Sequence, residues 1–261
     1  MSGESKGEEM MKYIRFLHKG SINYGKLDKE EITVLDRSYL EEGCQPNGEL
    51  LRLEEVKILA PVQPSKVVCI GLNYSKHIEE MGGTRHEDPI IFIKPATTVI
   101  GPEDEIISPA MSQQVEHEAE LAVIIGKTMK DVPEEKVNEF IFGYTCGNDV
   151  TARDLQRKDG QWTRSKGFDT FCPLGPWVVT DLDTSHLEVR ALLNGEVKQT
   201  SNTQYFLNPV AKLVSFISQV MTLLPGDVIM TGTPEGVSPM KSGDEIVIQV
   251  EGIGELRNSM R

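Results

Sequence analysis

The sequence predicts a β-rich α+β protein, and three observations carry that expectation. Short apolar runs bounded by turn residues recur along the chain, only two stretches show helical periodicity, and no repeat or low-complexity tract interrupts the pattern. At 261 residues the chain has room for one or two domains with a core that needs no covalent staple.

Residues 1–9, MSGESKGEE, are small, polar and acidic and are expected to form a disordered extension. Residues 10–63 read as a small β-rich N-terminal domain. KYIRFLH and EITVL are strand-like, Gly, Asp and Asn separate them, and Gly43–Gly48 is a turn cluster. Pro61 and Pro64 flank Val62 and Gln63 and mark a linker, so residues 64–261 form the larger domain. Its strands are KVVCIG, PIIFIKP, AELAVIIG, PWVVT, EVRALLN, DVIMTG and EIVIQVEG. Two helices interrupt them. DVPEEKVNEFIFG has an early Pro133, acidic first-turn residues, apolar Val137, Phe140 and Ile141, then Gly143. NPVAKLVSFISQVMTLLPGD has Asn208 as cap and Pro209 in the first turn. Its core stripe is Val210, Leu213, Val214, Ile217, Val220, Met221 and Leu224.

Lys and Arg number 27 against 40 Asp and Glu, a formal net charge of −13. That balance argues against nucleic acid or anionic membrane as a partner, because phosphate neutralisation needs clustered cations. No apolar run approaches the roughly 18 residues of a transmembrane helix. MSGESKGEEMMKYIRF lacks the apolar core of a secretory signal, so a cytoplasmic protein is expected. Cys44, Cys69, Cys146 and Cys172 are widely spaced and form no CxxC pair, which suits buried thiols better than disulfides or zinc.

Chemistry concentrates in four places. In VEHEAELAVII, strand alternation puts Glu116, Glu118 and Glu120 on one face and His117, Ala119 and Leu121 on the other. Neighbouring carboxylates repel unless they are solvated or share a cation, and spacing alone leaves both readings open. His117 reads as a satisfied core histidine. GYTCGNDVTARDLQ places Asp149 after a strand-like run and before a helical pattern, where it can face the same cavity. Three carboxylates plus waters suit Mg²⁺, Mn²⁺ or Ca²⁺ rather than zinc. RSKGFDTF holds Lys166 beside Gly167, where the backbone can approach a ligand closely, but taken alone Lys166 reads as a surface lysine. GLNYSKHIEEM holds His77 and Glu80 three residues apart, so one helical turn presents both on one face, as a proton-handling pair or a charged surface turn. No GxSxG, HExxH or GxxxxGK[ST] motif occurs. Gly252-Ile-Gly254-Glu-Leu-Arg257 is half a dinucleotide fingerprint with no βαβ unit after it.

Taken together, VVCIGLNYSKHIEEM, DPIIFIKP, EHEAELAVIIG, GYTCGNDVTARDLQ, RSKGFDTFCPLGPWVV, GDVIMTGTPEGV and EIVIQVEGIGELRN resemble, in order, the fumarylacetoacetate hydrolase family in its short, acylpyruvase-like branch. The resemblance implies a mixed β-roll built around a divalent cation, Mg²⁺ or Mn²⁺ with Ca²⁺ as an alternative, and at least a homodimer. It carries the metal ligands to Glu118, Glu120 and Asp149 and the substrate-facing lysine to Lys166. The water-activating pair falls on His77 and Glu80, and Arg153, Gln156 and Thr233 match positions that hold the substrate's carboxylate and keto oxygens. The longer family members use a further carboxylate upstream of the lid; VVCIG offers none, so a three-carboxylate site is expected.

The expected reaction is hydrolysis of a C–C bond in an acylpyruvate-like 2,4-dioxo acid. The cation and Lys166 would stabilise an enolate while His77 and Glu80 generate the attacking water. The same enolate site also serves oxaloacetate decarboxylation or isomerisation of 2-hydroxyhepta-2,4-diene-1,7-dioate. A non-catalytic cation- or metabolite-binding protein is the remaining reading, which an intact His77–Glu80 pair argues against. In the lid MGGTRHEDP, Arg85 hints at a polar distal group on the substrate.

Overall fold

The computed structural model describes residues 10–261; the extension expected at residues 1–9 lies outside them. The protein is β-rich α+β with mixed sheets, as its short apolar runs predict. The large sheet runs as an open path through Pro46–Arg52, Glu31–Leu35, Ser21–Asp28, Lys12–His18, Cys172–Val179, Ile141–Asn148, Ala119–Ile125, Val228–Met230, Val67–Gly71 and Ile90–Lys94. Val228–Met230 pairs antiparallel with Ala119–Ile125 and parallel with Val67–Gly71, which makes the sheet mixed. A second sheet orders Glu196–Asn202, Glu188–Leu193, Glu245–Val250, Gly254–Met260 and Glu105–Ile106. Among the described residues four α-helices connect these strands: α1 (Ser75–Glu80), α2 (Arg153–Asp159), α3 (Thr163–Lys166) and α4 (Val210–Val220). None is long and apolar enough to cross a membrane.

Ala119–Ile125, sequence AELAVII, is buried along its whole length. Leu121, Val123 and Ile125 enter the main core with α4, while Ala122 and Ile124 enter a second core with Val67, Cys69 and Met230. Each fully buried Leu, Val or Ile contributes about 1.5–3 kcal/mol relative to exposure, so this strand is a rigid centre for what it carries. The N-terminal strands build a separate cluster from Ile14, Phe16, Leu27, Ile32, Val34 and Leu51. They join the large sheet where Lys12 and Tyr13 pair with Val179 and Val178. The Pro61–Pro64 segment is packed rather than free: Val62 is buried and the Tyr39 hydroxyl donates to the Pro61 carbonyl. All four cysteines are free; Cys69, Cys146 and Cys172 are buried, and burial pushes the Cys146 and Cys172 thiols up to about 12.

Several expectations need correction. The helix read over DVPEEKVNEFIFG is only a 3₁₀ segment, Glu134–Glu139, because Ile141 starts the next strand and pairs with Ile125. Helix α4 is capped by extended Pro209, while Asn208 instead bonds the Asn73 side chain. Its stripe ends at Ile217: Val220 is 57% exposed, and Met221 and Leu224 lie past the last turn. Ser21–Asp28, Pro46–Arg52, Glu196–Asn202 and Gly254–Met260 are strands that polar and glycine residues concealed. The half-fingerprint at Gly252–Arg257 is the turn into the last of them.

Candidate active site

Glu118, Glu120 and Asp149 meet where two neighbouring strands of the large sheet end. Glu118 lies just ahead of Ala119–Ile125, and Glu120, two positions on, shares its face. The adjacent strand Ile141–Asn148 pairs Asn148 with Ala119 and Gly147 with Glu120, and the next amide, that of Asp149, donates to the Glu118 carbonyl at 3.0 Å. One oxygen from each carboxylate lies within 4.8 Å of the others, and all three residues are buried, so the solvent-washed strand face is ruled out.

Cations hold this cluster together. Lys166 Nζ, at the end of α3, donates to Glu118 Oε2 at 2.8 Å and to Asp149 Oδ2 at 2.7 Å. Lys94 Nζ, fully buried at the end of its strand, donates to Asp149 Oδ1 at 2.5 Å and to the Val150 carbonyl at 3.0 Å. Arg153, opening α2, donates to Glu118 Oε1 at 2.6 Å, Glu116 Oε2 at 2.7 Å and Gln156 Oε1 at 2.6 Å. Glu116 is therefore an anchor for Arg153, because its short strand ends before His117 and the alternation does not run through. With its oxygen engaged by Arg153, Gln156 is left with an NH₂ donor.

Glu120 is the exception. Among the described residues no cation touches it, and its hydrogen-bond donor is the Gly232 N–H at 2.6 Å. Burial raises its carboxyl well above the usual range, and the charges of Asp149 and Glu118 push it further; the Gly232 bond offsets only part. Burial also opposes the charge on Glu118, but Lys166 and then Arg153 outweigh it and hold that carboxyl below the usual range. Lys166, buried though it is, is held in its charged form by Asp149 and Glu118. Three dry carboxylates, one lacking a counter-charge, form an oxygen donor set that suits a hard dication; no thiol or imidazole belongs to the group. The residues fit such an ion.

The cluster faces a cavity of about 250 Å³, lined also by His77, Arg153, Gln156, Lys166 and Thr233. Ile70, Leu72, Met81, Phe92 and Trp162 complete its wall, with the Phe92 and Trp162 rings edge to face at 5.1 Å. Glu80 does not reach the cavity; it acts through its neighbours. On α1, His77 Nδ1 lies 3.0 Å from Glu80 Oε2, as the three-residue spacing predicts, while Glu80 Oε1 accepts the Gly236 N–H at 2.9 Å. Arg85 is exposed and does not line the cavity, so the hint of a polar distal group does not rest on it; Arg157 stands at the rim instead.

The TGTPEG loop adds Thr233 to the cavity wall and its Gly232 amide to Glu120. Gly232 there takes φ +97°, and a Cβ at that position would lie 2.7 Å from the Asn73 Cβ. Its glycine identity is what lets the amide reach Glu120. Sequence reasoning missed Lys94, Gln199 and the Gly232 amide. Lys94 had one legible signal: strand alternation puts it on the same face as Phe92, inside an apolar run.

Comparison with known proteins places the chain in a family. The family described as fumarylacetoacetate (FAA) hydrolase C-terminal matches residues 66–261, and the Rv2993c-like N-terminal family matches residues 11–61. The mitochondrial oxaloacetate tautomerase Fahd2a of Rattus norvegicus is 41% identical over 223 residues, covering 81% of this chain and 71% of its own. The 2-hydroxyhepta-2,4-diene-1,7-dioate isomerase of Mycobacterium marinum is 42% identical with a TM-score of 0.89, covering 96% of this chain and 98% of its own. Fumarylpyruvate hydrolase of Pseudomonas aeruginosa, solved with Mn²⁺ and pyruvate, is 32% identical with a TM-score of 0.72, covering 82% and 93%. Sequence match and fold agree, and the chain belongs to the fumarylacetoacetate hydrolase family.

Proposed function

We propose that this chain is a divalent-metal-dependent hydrolase that cleaves a C–C bond in acylpyruvate-like 2,4-dioxo acids by way of an enolate. The observation that carries the reading is the pairing of an uncompensated buried Glu120 with a His77–Glu80 pair across one cavity. Glu118, Glu120 and Asp149 are the proposed ligands; bound there, Mg²⁺ or Mn²⁺ (or Ca²⁺) supplies Lewis-acid polarisation of the substrate's 2-oxo and carboxylate oxygens. Arg153 and the Gln156 NH₂ are donors suited to a carboxylate, and Thr233 bounds the same space. Lys166 supplies a second positive charge for the enolate that develops as the bond breaks. Glu80 accepts from His77 Nδ1, which leaves Nε2 as the basic nitrogen to take a proton from water at the 4-carbonyl. Glu80 thus orients the base and sets its tautomer.

A second reading keeps the enolate and drops the water. The resemblance to an oxaloacetate tautomerase and a dienedioate isomerase favours it, since His77 can return a proton to carbon as readily as take one from water. Oxaloacetate decarboxylation falls under the same reading. A panel of acylpyruvates, oxaloacetate and 2-hydroxy-dienedioates, with Mg²⁺ or Mn²⁺ present, separates the two. Turnover should vanish on chelation and return with either ion, and full activity in metal-free protein would overturn the metal assignment. We also propose a homodimer in solution, which light scattering at micromolar concentration checks, and a cytoplasmic location.

A further inference from the structure

His117 takes no part in the chemistry above, yet it is fully buried with both ring nitrogens engaged. The Ala119 N–H donates to Gln199 Oε1 at 2.9 Å, which turns the oxygen of that amide toward the strand. His117 Nδ1 lies 3.0 Å from the same oxygen, so Nδ1 carries the ring proton and donates it. Nε2 is then the acceptor, and the Ser238 hydroxyl donates to it at 2.8 Å. The far end of the Gln199 amide donates to Thr233 Oγ1 and to the Pro234 carbonyl, each at 2.8 Å. The Thr233 hydroxyl in turn donates to the Ala119 carbonyl at 2.9 Å. Donation therefore runs one way, from Ser238 through His117, Gln199 and Thr233 to Ala119. The donors and acceptors along this Ser238–His117–Gln199–Thr233 relay are all matched only with His117 in the Nδ1–H form.

We propose that His117 is a positioning residue for ligand binding: through Gln199 it fixes the Thr233–Pro234 turn against the cavity, without touching the ligand or the carboxylates' cation. This rests on the reading that Thr233 bounds a 2-oxo acid site. The geometry makes a specific demand on replacements. Asparagine places its NH₂ near the position of His117 Nδ1 and keeps the donor to Gln199, whereas glutamine and leucine do not.

The test is pyruvate binding to Mn²⁺-loaded protein by calorimetry, with Mn²⁺ affinity measured separately. His117→Leu and His117→Gln should weaken pyruvate about tenfold, the scale of one misplaced buried hydrogen-bond partner, with Mn²⁺ affinity within about twofold of wild type. His117→Asn should stay within about twofold for both. Thr233→Ala should weaken pyruvate as much as His117→Leu. In wild-type protein, two-bond ¹H–¹⁵N correlation should show a protonated Nδ1 and a bare Nε2 on His117. Circular dichroism checks that each variant folds, and the asparagine variant and the wild-type spectrum stand even where leucine does not fold. An Asn variant as weak as Leu, a parallel loss of Mn²⁺ affinity, or an Nε2–H tautomer overturns the proposal. So does Thr233→Ala binding pyruvate like wild type. Wild-type protein that binds Mn²⁺ but no pyruvate overturns the 2-oxo acid reading itself, and this inference with it.

Discussion

The two sides of the cavity are built in opposite ways. On the sheet side, Glu118, Asp149, Lys94, Lys166 and Arg153 have side chains at most 5% exposed and interlock through six charge-assisted contacts within the group or to Glu116 and Gln156. On the lid side, His77 is itself only 5% exposed, but it rides on the six-residue helix α1 and its partner Glu80 is 32% exposed. That helix is tied to the TGTPEG loop by the Glu80–Gly236 bond and an exposed Lys76–Glu235 pair at 3.4 Å. The Gly236 end of this tie also needs glycine: φ is +96°, and a Cβ would run into the Lys198 carbonyl. The contrast assigns the work. A dry set of charges stands or falls together, because losing one partner strands another in low dielectric. A base on a short, half-exposed turn can be altered with little effect on the fold.

The sharpest way to break the comparison is kinetic. His77→Ala should lower hydrolysis of an acylpyruvate by about 10²–10⁴-fold while leaving Mn²⁺ affinity unchanged, and oxaloacetate decarboxylation should survive far better. Lys166→Ala should damage both reactions. Equal losses on both substrates in the His77 variant would make the pair a lid clasp or substrate holder instead of a water activator.

The sheet side answers to stability. Lys94→Met leaves Asp149 Oδ1 without its ammonium and should cost about 3–5 kcal/mol in metal-free urea unfolding. Saturating Mn²⁺ should restore part of that, since a dication returns the missing counter-charge. A loss below about 1 kcal/mol would show that Asp149 does not depend on Lys94.

The smallest effect is a pH slope. Burial holds the His117 imidazole below its ordinary value. A depressed histidine binds fewer protons folded than unfolded, so its stability contribution is intact above the unfolded value of about 6.5 and is lost as pH falls below it. The expected slope is at most about 1.4 kcal/mol per pH unit, and His117→Asn should flatten it. Identical slopes in the two proteins would place the acid sensitivity elsewhere.

What was legible in the sequence follows from range. The central strands were readable because AELAVII and VVCIG announce burial by local composition. The Glu118–Glu120 and His77–Glu80 spacings were readable because two-residue and three-residue periods are properties of the backbone. The step from a solvated strand face to a triad with Asp149 came from the family resemblance. Lys94 was not, because its partner Asp149 lies 55 residues away and a lysine before a proline looks like an ordinary strand end. His117 was readable as a core histidine, but Gln199, 82 residues on, decides what it does there. Val137, Phe140 and Ile141 imitate a helical stripe; sheet pairing claimed Ile141 first. Glu116 shares the pattern of the Glu118–Glu120 pair and leaves it only because its strand ends at Glu116 itself.

The position of Val228–Met230 in the large sheet has a consequence for how the protein is made. This short strand is the bridge between Ala119–Ile125 and Val67–Gly71, and the Gly232 amide that steadies Glu120 follows it by two residues. During synthesis both of those apolar strands leave the ribosome with one edge unpaired and must wait for the chain beyond residue 230. Such long-range closure folds slowly, and open strand edges invite pairing with other chains. Until that closure Glu120 lacks the Gly232 amide, its hydrogen-bond donor among the described residues. The proposed cation site is therefore completed late in the life of the chain, and an ion held there would mark a molecule whose sheet has already closed.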